Sequence, residues 1–79
     1  MKKKLYQFND LEIWQEDNRY YAIYDAGSHQ VVMRKDEITE HEALYACEGE
    51  SSAVNMLVAL QTRLTKAGID AYSSNYSPN

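Results

Sequence analysis

Apolar and polar positions follow two different periods along this chain, and the change falls near residue 39. Before it the alternation is that of strands. In Leu11–Gln15, Leu11 and Ile13 stand on one face and Glu12 and Trp14 on the other, as in a half-buried strand. Arg19–Asp25 is rich in β-formers, with Tyr21 and Ile23 on one face and Tyr20, Ala22 and Tyr24 on the other. Lys4–Phe8 is a shorter candidate, and His29–Arg34 returns with Val31, Val32 and Met33. Asn9-Asp10, Glu16-Asp17-Asn18 and Ala26-Gly27-Ser28 separate these runs with turn chemistry. Gly27 is suited to the positive φ of a tight hairpin.

After residue 39 the spacing becomes helical. Thr39, with Glu42 three residues on, is a capping-box signature. Glu40 and Glu42 fall in the first turn, where the helix dipole favours anions. The sequence therefore predicts a short helix over Thr39–Glu48 with Gly49 as its terminator; a strand over Leu44–Cys47 competes with it. Ser52–Ala67 is the clearest element. Ala53, Leu57, Leu60, Leu64 and Ala67 form one stripe flanked by Met56, with Ser51 or Ser52 as the cap and Gly68 as the stop. Ile69–Tyr72 reads as a last strand. Residues 1–3 and 73–79 read as frayed tails. The expected fold is a single α+β domain over 1–79. It has an antiparallel meander of three to five strands, one long C-terminal helix packed on a face and a second short helix.

Composition changes this picture mainly through charge. The 79 residues hold twelve acids and eight bases, a formal net charge of −4. Three of the bases are Lys2, Lys3 and Lys4, which leaves five bases against twelve acids elsewhere. From Asp36 to Glu50 there are six acids (Asp36, Glu37, Glu40, Glu42, Glu48 and Glu50) and no Lys or Arg. Such a surface repels phosphate backbones, so direct nucleic-acid binding is not expected. The residues after Lys4 are too polar for a secretory signal core, and no run is long and apolar enough to span a membrane. With a single cysteine, the expected location is cytoplasmic. On that basis Asn75-Tyr76-Ser77 is a chance match to the glycosylation pattern.

No motif names a reaction. His41 and Cys47 are six residues apart and His29 lies in another element, which is not zinc spacing. The Asp36-Glu37 cluster lacks the glycine and ligand spacing of a calcium loop. Cys47 is flanked by Glu48 and Glu50, whose charge opposes a thiolate. The three glycines belong to no phosphate-cradling loop. No metal, cofactor or catalytic residue is therefore expected.

Seven of the nine aromatics are tyrosine. Tyrosines on both faces of one strand leave some rings uncovered, and Tyr and Trp are enriched in interface hot spots. The reading that follows is an interaction module that docks on a protein partner with a basic surface through Asp36, Glu37, Glu40, Glu42, Tyr20, Tyr24 and Trp14. An acidic decoy of this kind blocks a nucleic-acid groove, and phage or mobile-element anti-defence proteins often share this size and build. The alternative is a small-molecule-binding or enzymatic protomer with its site at a homodimer interface.

Overall fold

Two-residue turns set up the sheet. Asn9 and Asp17 take positive φ angles of 53° and 58°, in the left-handed region that Asn and Asp tolerate better than other side-chain-bearing residues. Each reverses the chain between neighbouring strands. β1 (Lys2–Phe8), β2 (Leu11–Glu16) and β3 (Arg19–Asp25) are thus consecutive hairpins, and β4 (Met33–Ile38) completes the sheet. The computed structural model describes residues 1–27 and 29–76. Within them the strand order is β1-β2-β3-β4, every pair antiparallel. Two helices follow, α1 (Glu40–Ala46) and α2 (Glu50–Lys66), making the chain an α+β meander with a helix layer.

Register decides which face the helices cover. Ile13 pairs with Ala22, Ala22 with Asp36, and Tyr20 with Ile38. Leu11, Ile13, Ala22, Tyr24 and Ile38 therefore face Ala43, Ala46, Ala53, Met56 and Leu60 of the helices in one buried cluster. The small residues let α1 lie close to β2 and β3 of the sheet and to α2. A β-bulge between Lys4 and Tyr6 shifts the register, so consecutive Leu5 and Tyr6 both pack against this core. Leu60 is fully buried, Leu57 and Leu64 are half-buried at the rim, and Ala67 is exposed.

The helix ends follow their caps. The Thr39 hydroxyl accepts from the Glu42 N–H at 3.1 Å, and Glu42 accepts from the Thr39 N–H at 2.9 Å, which completes the capping box. Leu44–Ala46 continues this turn as helix and Cys47 is its C-cap, so the competing strand does not form. Gly49 begins α2 instead of ending α1. It is the N-cap, with φ 153°, and Ser51 and Ser52 lie inside the helix without a capping bond. At the far end Gly68 takes φ 80°. Its N–H reaches the Thr65 carbonyl while the Ile69 N–H reaches that of Leu64, a Schellman closure.

Several expected boundaries move. The fourth strand is Met33–Ile38, not His29–Arg34. The Val31-Val32-Met33 run suggested the earlier position, but residues 29–32 are not strand, and Asp25 ties Gly27 and Val32 together. The Asp25 carboxylate accepts from the Gly27 and Val32 N–H groups at 2.8 and 2.9 Å. Gly27 is needed there because a Cβ would meet the Gln30 carbonyl oxygen at 1.8 Å; the expected break at Ser28 lies outside the described residues. Ile69–Tyr72 forms no strand; the chain turns over Asp70–Ser73, with the Asp70 carboxylate accepting from the Tyr72 N–H and the Ser73 hydroxyl. Lys2 and Lys3 belong to β1. Residues 73–76 are also bound: the Asn75 side chain bonds both the N–H and the C=O of Lys35, and the Ser74 hydroxyl donates to the Met33 carbonyl. Of the expected tails and the Asn75-Tyr76-Ser77 pattern, residues 77–79 lie outside the described residues.

Candidate functional site

The alternation of β4 sends Arg34, Asp36 and Ile38 inward, so two charged residues enter the helix-facing side. Arg34 and Asp36 are only 3% and 8% exposed. The Arg34 guanidinium donates to both Asp36 carboxylate oxygens, at 3.0 and 2.8 Å. Its remaining nitrogen donates to the carbonyls of Asp70 and Ser73. The Tyr24 hydroxyl and the Asn75 amide donate to the same carboxylate, at 2.7 and 3.1 Å. Burial pushes the Asp36 carboxyl up, but these bonds outweigh it and hold it below the ordinary range. Burial, and then the bond to Asp36, raises the Tyr24 phenol far above its usual value. Asp36 and Tyr24 were expected on a contact surface. Both are interior: Asp36 helps Arg34 fasten the C-terminal segment and Tyr24 donates to Asp36, so neither belongs to an exposed site.

Three other expected residues do come together. The β2–β3 turn, the end of β4 and the start of α1 form a groove of about 610 Å³ lined by Tyr20, Glu37, Glu40, Arg19 and Arg63 among others. The Tyr20 hydroxyl donates to Glu40 at 3.1 Å. Arg63, on α2, donates to both oxygens of Glu42 and to the Glu37 carbonyl. Burial pushes the Glu42 carboxyl up, while Thr39 and Arg63 pull it down to a net value below the usual range. Arg19 approaches Glu37 at 3.6 Å with both side chains largely exposed. Glu40 has no cation partner among the described residues.

The acidic run is therefore less acidic in space than along the chain. Asp36, Glu37 and Glu42 each meet an arginine that lies outside the run: Arg34, Arg19 and Arg63. Sequence separation hid Arg19 and Arg63, the latter 21 residues from Glu42, whereas Arg34 stands two residues from Asp36, just outside the run.

Trp14 lies on the opposite, uncovered face of the sheet. There it pairs across strands with Lys4 and Tyr21, and its indole N–H donates to Glu12 at 2.7 Å. The Lys4 ammonium lies over the Trp14 ring, and the Lys35 ammonium lies over Tyr21, 4.6 Å from its centre, and bonds Glu16 at 2.7 Å. Ile23, which pairs with Glu12 and Lys35 across the strands, is buried on this same face. Tyr21 is the aromatic that sequence reasoning passed over. The signal was available: it alternates with Tyr20 and Tyr24, and the cross-strand partner of Trp14 must share the Trp14 face.

Among the described residues no three His, Cys, Asp or Glu side chains converge as a metal site would require. Cys47 ends α1, packs half-buried against the core, and burial raises its thiol pKa. No helix of the described residues is long and apolar enough to cross a membrane. Comparison with protein-family models, with curated proteins and with solved structures finds no match to this chain.

Proposed function

We propose that this chain is a protein-interaction module without chemistry of its own, which docks on a basic surface of a protein partner and covers it as an inhibitor or decoy. The observation that carries the reading is the groove where Tyr20, Glu37 and Glu40 converge from β3, β4 and the start of α1. Glu40 is exposed and, among the described residues, its only side-chain hydrogen bond is from Tyr20, while Glu37 meets Arg19 in a long, exposed ion pair. Exposed pairs of this kind are worth about 0–1 kcal/mol. A partner's Arg or Lys can therefore displace Arg19 from Glu37 and engage Glu40 without disturbing anything buried. Glu42 contributes field from the rim, but it is committed to Arg63 and to the helix cap. An inhibitor encoded by a phage or mobile element against a nucleic-acid-binding defence protein is one setting for such a decoy, argued from size and architecture alone.

The test is a salt titration with a basic-surfaced partner captured from a lysate and then purified. Association through Glu37 and Glu40 should slow as salt rises. Glu37→Lys with Glu40→Lys should weaken it much more than either change alone. Glu42 is the wrong residue to reverse, since its loss opens the cap of α1. An affinity indifferent to salt, with the double variant binding like the parent, would rule the reading out.

A further inference from the structure

The two edges of the sheet are finished differently. At β4 the C-terminal segment occupies the edge: Asn75 bonds the N–H and C=O of Lys35 through its side-chain amide, as a neighbouring strand would, and its own N–H reaches the Met33 carbonyl. At β1 only the inner side is paired, to β2. Among the described residues nothing bonds the outer N–H and C=O groups of Lys2–Phe8. A row of such groups is a template for another strand.

The side chains along that edge select what can add. Lys2, Lys3 and Lys4 are all exposed and form no ion pair among the described residues. They flank the edge on both sides of the sheet. Lys2 and Lys4 pair with Glu16 and Trp14 on the open face, and Lys3 pairs with Gln15 on the helix side. Strands lie about 4.8 Å apart in a sheet. A second copy paired edge to edge would bring both lysine triplets to one seam, the like-charge arrangement that blunts edges against self-association. An acidic strand would instead meet ammonium groups above and below it. We infer that β1 accepts an added strand from a partner protein, and that this strand is acidic, with Asp or Glu on both of its faces. The β4 edge is already occupied by Asn75 at Met33 and Lys35, so β1 is where a strand can add. This surface lies at the edge opposite β4 and is independent of the acidic groove.

The probe is a synthetic peptide matched to β1 in length that alternates Glu with Val and Thr, tested beside the same peptide with Lys for Glu. Isotope-labelled protein should show slowed amide exchange and shifted resonances along Lys2–Phe8 with the acidic peptide only. Lys2→Gln with Lys3→Gln and Lys4→Gln, which leaves the backbone edge intact, should weaken binding roughly tenfold or more, since three exposed charge contacts are lost. The Glu37→Lys, Glu40→Lys variant should bind the peptide like the parent, which separates this surface from the groove. The inference is overturned by no binding at millimolar peptide, by shifts that map to the groove or the Trp14 face, or by equal affinity in the triple variant. It is overturned too if sedimentation shows self-association through β1, which would make a second copy the occupant.

Discussion

Arg34 and Asp36 point the same way from β4 and form an ion pair at 2.8 Å with almost no access to solvent. The two residues stand next to the buried Tyr24 hydroxyl and hold the chain from Asp70 to Asn75 against the sheet. No buried side-chain polar atom of the described residues lacks a partner, so removing one member leaves others stranded.

Asp36→Asn should accordingly cost about 3–5 kcal/mol, because it leaves the Arg34 charge buried and uncompensated. Against a total of roughly 4–12 kcal/mol for a chain of this size, the variant should unfold at much lower urea. A midpoint within experimental error of the parent would show that the pair is not held in solution as described.

Acid should destabilise the fold, and the same pair should carry part of the effect. Asp25, Asp36, Glu42 and Asp70 all have carboxyls held below their ordinary values. A depressed folded value means that the unfolded chain takes up protons first. The stability is complete above the ordinary carboxylate range, about 4–4.5, and is lost as pH falls through the folded values. Tyr24 acts in the opposite direction. Its raised phenol contributes fully below about 10, its ordinary value, and that contribution is lost as pH rises beyond it. Melting temperatures measured from pH 3 to 11 should fall at both ends, and Asp36→Asn should flatten the acid side.

Core and rim positions of α2 should separate cleanly. Leu60→Ala removes a fully buried side chain and should cost about 2–5 kcal/mol. Val58→Ala, at a site 57% exposed, should stay within about 0.5 kcal/mol. Similar denaturation midpoints for the two variants would mean that α2 faces the sheet differently.

The glycines should divide by cause. Gly68→Ala meets open space but must adopt φ 80°, which costs about 1–2 kcal/mol in the left-handed region. Gly27→Ala has a steric problem instead, since the added methyl would collide with the Gln30 carbonyl oxygen. It should loosen the loop held by Asp25, visible as faster amide exchange at Val32, whose N–H is bound by Asp25. Unchanged exchange at Val32 would show that the loop has room to adjust.

Local rules were enough for much of this molecule. The alternation in Leu11–Gln15 and Arg19–Asp25, the Asn and Asp turns, the capping box at Thr39 and the Gly68 stop each depend on neighbours a few residues away, and each appears where the sequence places it. What only the tertiary structure decided depends on which side of each element is covered and on what meets there. The fourth strand lies at Met33–Ile38 because Arg34 and Asp36 neutralise one another inside, whereas a hydrophobicity pattern assigns polar residues to the surface. The acidic run loses much of its field because Arg19 and Arg63 arrive from other elements and Arg34 turns inward beside Asp36 on the same strand. Tyr24 is buried and Tyr21 stands with Trp14 because cross-strand register assigns the faces. The segment after Ile69 is fixed by side chains reaching β4, a bonding pattern without periodicity and so without a signature in the sequence.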